Sequence, residues 1–75
     1  MDQKLKESIA SELQVAPEAL TAGCKLDGLE NWDSVNKLTV MVILGDALGV
    51  PVDPGEIANL VTFGDIENLV ASKQR

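Results

Sequence analysis

The run from Ser34 to Leu48 constrains the fold more than any other stretch of the chain. It holds no proline, opens on Asp33-Ser34, a favoured N-cap pair, and stops at Gly49, a residue suited to a helix C-terminus. Its β-branched residues, Val35, Thr39, Val40, Val42 and Ile43, would permit a strand on propensity alone. The run is too long for a typical strand and does not alternate, so it reads as a helix. At helical spacing its apolar positions divide between two faces. Val40, Leu44 and Leu48, flanked by Ile43 and Ala47, point one way and are expected in the core. Val35, Leu38 and Val42 share a second face at i, i+3 and i+7. A chain of 75 residues has little material with which to cover a helix on every side. Two outcomes stay open for the second face: exposure as a docking surface, or cover by a loop.

The remaining segments are the material available to pack against this helix. Leu5, Ile9 and Leu13 recur at i, i+4 and i+8, which predicts an amphipathic helix over Asp2 to Val15, ending before Pro17. Pro17 to Leu20 suits one short turn. Thr21 to Asp33 reads as a long loop with Leu20, Leu26, Leu29 and Trp32 as apolar anchors. Such a loop is uncommon in so small a domain unless it is functional or packs on its own side chains. Trp32 is expected to pin it to the core. Val50 to Gly55 holds two prolines and a glycine and reads as extended, followed by a short helix over Glu56 to Val61 with Ile57 and Leu60 inward. Thr62 and Asp65 have the spacing of a capping box. They precede a last helix with Phe63, Ile66, Leu69 and Val70 as its stripe, fraying into Ser72-Lys73-Gln74-Arg75. The expected fold class is all-α. It is a small bundle of three main helices plus one short helix, with a long loop between the first two, forming one domain over residues 1–75.

The residue inventory excludes several functions. With no His and one Cys, neither a zinc site nor a His-based triad has its ligands or base, and a disulfide framework is impossible. Six Lys plus Arg against 12 Asp plus Glu give a net charge of −6, which argues against nucleic-acid binding. The N-terminus lacks the apolar stretch of a signal peptide, and the longest apolar run, Val40 to Leu44, is far short of the ~20 residues that span a bilayer. A cytoplasmic monomer that makes no membrane contact is expected. Without cross-links, a core of this size is expected to be only marginally stable.

The order of helices, combined with Leu29-Glu30-Asn31-Trp32-Asp33-Ser34-Val35, then Leu38, Leu44 and Leu48-Gly49-Val50, resembles the acyl and peptidyl carrier protein family. Thr62-Phe63-Gly64-Asp65-Ile66 is similar to the start of that family's last helix, and the likeness runs from Leu5 to Val70. The family's Asp-Ser-Leu signature reads Asp33-Ser34-Val35 here. The resemblance implies an acyl-carrier-like bundle with 4′-phosphopantetheine covalently attached to Ser34. For Asp33 it implies a contact to magnesium in the complex with the transferase, a role compatible with capping the helix. It implies a carrier of acyl or aminoacyl intermediates, held as thioesters, that performs no catalysis itself. Its partners would be a phosphopantetheinyl transferase, an acyl- or aminoacyl-loading ligase, and downstream synthase or transferase enzymes. The position suits the chemistry, because a helix N-terminus favours the negative charge of a phosphodiester. Outside this pattern, a serine at a helix start is simply a cap.

The sequence also departs from familiar fatty-acid carriers, whose second helix is dense in acidic residues. Here Asp46 is the one acidic residue between Ser34 and Leu48, and Lys37 has the opposite sign. Partner binding is therefore expected to rest on Val35, Leu38 and Val42, with Asp46 contributing charge that steers encounter. Together with Trp32, this resembles specialised stand-alone carriers more than housekeeping fatty-acid synthesis, and fatty acyl, polyketide and amino-acid cargoes all stay open. The alternative function is an unmodified helical adaptor docking through the Val35, Leu38 and Val42 face. Gly45 is expected to let another helix approach closely, and Cys24 to be buried and unreactive. Asp27, Glu30 and Asp33 lack the spacing of an EF-hand and read as a solvated acidic loop.

Overall fold

Asp2 opens the first helix in the computed structural model, which describes residues 2–74. Its carboxylate accepts a hydrogen bond from the Lys4 N–H at 3.2 Å, and helix α1 (Gln3–Leu13) follows. Leu5, Ile9 and Leu13 are buried as their spacing predicts, with Ala10 beside them. The helix ends at Leu13 rather than Val15. Gln14 adopts the left-handed conformation (φ 58°), and the Val15 N–H turns back to the Ala10 carbonyl at 3.0 Å. A backbone closure of this kind satisfies orphan carbonyls before Pro17 is reached. A 3₁₀ turn, Pro17–Ala19, then leads into the long connection.

Helix α2 (Ser34–Leu48) is the element that the other helices share: α1, α3 (Pro54–Ala58) and α4 (Phe63–Lys73) all pack on it. Only Val40 and Leu44 are fully buried on α2, a narrower core strip than the sequence suggests. Ile43 and Leu48 are half-buried and Ala47 is exposed. Ile43 and Ala47 border an open groove of about 380 Å³ between the start of α1 and α2, with Leu5 and Ser8 among its other lining residues. Gly49 closes α2 in the left-handed conformation (φ 70°), where a glycine carries no Cβ penalty.

The connection from Thr21 to Asp33 is held by backbone as well as by side chains. Leu20, Leu26 and Trp32 are buried, so Trp32 does pin the loop to the core. A second 3₁₀ turn, Leu26–Gly28, sits within it, and Lys25 forms an isolated antiparallel bridge with Thr62. The Leu26 N–H donates to the Val61 carbonyl at 2.9 Å and the Phe63 N–H to the Cys24 carbonyl at 2.8 Å. One step on, the Gly64 N–H donates to the Ala22 carbonyl at 3.0 Å. Two of the N–H groups left without partners at the start of α4 are thus satisfied by the loop. A Cβ built on Gly64 would lie 2.8 Å from the Ala22 carbonyl oxygen, so this approach requires glycine. Cys24 is half-buried in this seam rather than buried.

Two boundaries near the C-terminus differ from the sequence reading. Helix α3 begins at Pro54, not Glu56, and ends at Ala58. Proline is tolerated in a first turn because its missing N–H has no partner there anyway. Glu56 reaches back to accept the Asp53 N–H at 3.0 Å, and Ile57 and Leu60 turn inward as expected. Helix α4 carries the predicted capping box, with the Asp65 N–H donating to Thr62 Oγ1 at 3.3 Å and the Thr62 N–H to Asp65 Oδ2 at 3.0 Å. It stays helical through Lys73 instead of fraying from Ser72, and Lys73 Nζ pairs with Glu56 Oε2 at 3.2 Å. Among the described residues, no helix is long and apolar enough to cross a membrane.

The two glycines Gly45 and Gly64 should respond oppositely to alanine. No helix approaches Gly45; a Cβ there meets only the Val50 carbonyl oxygen, at an ordinary 3.5 Å. Gly45→Ala should therefore stabilise the fold by about 0.5–1 kcal/mol through helix propensity. Gly64→Ala should destabilise it by about 1–3 kcal/mol, because a backbone carbonyl must move. Urea midpoints of the two variants check both signs.

Candidate functional site

Asp33 and Ser34 stand together where the loop becomes α2. Asp33 is the N-cap: its backbone is extended, and Oδ1 accepts the Asn36 N–H at 2.9 Å. Ser34 is the first helical residue and is exposed. As at any helix start, the first N–H groups have no intrahelical acceptor, and one of them is used by the Asp33 cap. Asp27, Glu30 and Asp33 are all exposed.

Ser34 borders an apolar groove of about 270 Å³ between α2 and α3. Its walls are Lys37, Leu38 and Met41 from α2, and Pro54, Ile57 and Ala58 from α3. Leu38 and Met41 follow Ser34 at i+4 and i+7, so helical spacing alone places them on its face. The α3 wall was not foreseeable, because it depends on where α3 begins and how it packs.

The second face of α2 is exposed, and no loop covers it. Val35 is 71% exposed, Leu38 56% and Val42 57%. The three do not form one feature, however. Leu38 belongs to the groove beside Ser34, while Val42 lines a shallow hollow further along with Met41, Gly45, Asp46 and Val50. Val35 lines neither. Asp46 is exposed at the hollow.

Two asparagines hold the Asp33-Ser34 segment in place, and sequence reasoning missed both. Asn31 Nδ2 donates to the Leu13 carbonyl at 3.0 Å, using one of the orphan carbonyls at the end of α1. Asn36 Nδ2 donates to the Asn31 carbonyl at 2.7 Å. The end of α1 is thereby linked to the first turn of α2 through the residue two before Asp33. An Asn in a loop next to a helix start was the available signal, but its partner lies far away in sequence.

No family model matches the chain. It is similar to a protein named acyl carrier protein from Renibacterium salmoninarum, at 31% identity over 70 residues, covering 93% of this chain and 86% of the relative. A small helical bundle built around one hub helix agrees with that kinship. The chain belongs to the acyl carrier protein family.

Two carboxylates brace the starts of α3 and α4. The Thr62 and Val61 N–H groups, in that order, hold Asp65 below the usual carboxylate range. For Glu56 the Asp53 N–H is the larger cause and Lys73 the second. A carboxylate whose folded pKa lies below its unfolded one adds stability above the unfolded value, and that stability is lost as pH falls through the folded value. The chain should therefore lose stability as pH drops below about 4, the ordinary range for these groups. Asp65→Asn should flatten that acid limb. Urea midpoints between neutral pH and the acid limb, compared for the two proteins, check it; parallel limbs would mean that Asp65 contributes nothing to it.

Proposed function

We propose that this chain is a carrier protein whose Ser34 holds 4′-phosphopantetheine, and that it presents intermediates bound as thioesters to partner enzymes. The observation that carries this reading is the exposed Ser34 at the head of α2, opening on an apolar groove, in a chain of the acyl carrier protein family. When bound, the group supplies a thiol on a flexible arm, the chemistry that the chain's own residues lack. Ser34 provides the attachment oxygen. The α2 N-terminus and Lys37 provide positive potential for the phosphodiester. Asp33 keeps Ser34 at the first helical position, and in this reading its exposed carboxylate contacts magnesium in the transferase complex. Leu38, Met41 and Ile57 give the arm or its cargo an apolar wall.

Partner enzymes, in this reading, are a phosphopantetheinyl transferase, a ligase that loads an acyl or aminoacyl group, and synthases or transferases that remove it. They dock on Val35, Leu38 and Val42, with Asp46 at the rim steering cationic partners. The same exposed face would serve an unmodified adaptor equally well, and one experiment separates the two. The purified chain is incubated with coenzyme A, magnesium and a broad-specificity phosphopantetheinyl transferase, and its intact mass is recorded. A gain of one phosphopantetheine is expected for the wild type and none for Ser34→Ala. A wild-type chain left unmodified by several transferases would favour the adaptor.

A further inference from the structure

Lys37 is the one charged residue lining the groove beside Ser34, and the one basic residue on α2. From Leu38 to Ser72 the chain has no other Lys or Arg. Ser34 and Lys37 are spaced i and i+3, so their side chains leave neighbouring points of the same helical face. The Lys37 ammonium lies 5.7 Å from the centroid of the Trp32 ring, near the outer reach of a cation–π contact. Trp32 is buried with 8% exposure, and the Lys37 ammonium lies over its ring.

We infer that Lys37 is a positioning residue for the modified serine: once Ser34 carries a phosphodiester, the Lys37 ammonium leaves the Trp32 face and pairs with that anion. This rests on the reading of Ser34 given above. A full negative charge tethered one helical turn away attracts the ammonium more strongly than the quadrupole of a ring at the limit of contact. The tether also removes the cost of bringing the two groups together. The pairing holds the root of the arm on the groove side of α2, towards Pro54 and Ile57. It also gives the one basic residue of α2 a task within the chain itself. Withdrawal of the lysine opens the Trp32 face to water.

The chain has one Trp and no Tyr, so its ultraviolet emission reports on Trp32. Wild type, Lys37→Gln and Lys37→Arg are each converted by the transferase, and conversion is verified by intact mass before emission is read. Modified wild type and Lys37→Arg should emit at longer wavelength than their unmodified forms. Lys37→Gln should emit at that longer wavelength already, with no further change on modification. Raising salt to 1 M, where screening acts within a few ångströms, should return modified wild type towards its unmodified emission. Equal shifts in wild type and Lys37→Gln would overturn the inference while leaving Ser34 as the attachment site, as would a wild-type emission unmoved by modification. A mass that never increases would overturn both.

Discussion

The seam between residues 22–26 and the first turn of α4 is the constraint on which the arrangement depends. Three backbone hydrogen bonds, from Leu26 to Val61, Phe63 to Cys24 and Gly64 to Ala22, join segments far apart in sequence. The seam fixes one end of the long loop, and the Asn31 bond to the Leu13 carbonyl fixes the other. Leu26 at the first tie and Trp32 just past the second fill the core, so the loop adds core material at small cost in residues. With both ends held, the start of α2 has a defined place even though the chain has no cross-link and few aromatic residues.

On the proposed reading of Ser34, that placement lets a chain without catalytic inventory serve chemistry. The groups that orient Ser34 are a cap carboxylate on Asp33 and an amide on Asn36, both spent on backbone. What remains free around the serine is exposed hydroxyl, apolar groove and one lysine. An attachment point needs access for a modifying enzyme and a surface on which the attached arm can rest, and both lie within one turn or two of Ser34. The acidity of the chain is only loosely related to this region. Asp46 is the one acidic residue on α2, which is mainly apolar where it meets solvent.

The elements legible in the sequence were those set by local rules. Asp33 as cap, Ser34 as first helical residue, Gly49 as stop and the Thr62–Asp65 box all follow from short-range hydrogen bonding, and the structure has each of them. The stripe Leu5, Ile9 and Leu13 was equally plain. Features set by distant partners were not legible. Gly64 looks like an ordinary residue of a helix start until Ala22 approaches it. Pro54 and Gly55 read as breakers, yet they begin α3, because a first turn does not need the N–H that proline lacks. Ile43, Ala47 and Leu48 fit the core face by spacing, but Ile43 and Ala47 border an open groove beside the start of α1 and Leu48 is only half-buried. The groove shares this limit: its α2 wall could be counted off from Ser34, and its α3 wall could not.

The account stands on Ser34 as the point of attachment. The most direct measurement is fragmentation mass spectrometry of the intact chain isolated from the cells that make it. The chain holds serines at positions 8, 11, 34 and 72, so the modified residue is distinguishable from every other candidate hydroxyl of its kind. The predicted result is one phosphopantetheine, with or without cargo, confined to fragments that contain Ser34. A chain that is unmodified throughout, or modified at Ser8, Ser11 or Ser72 instead, would contradict it.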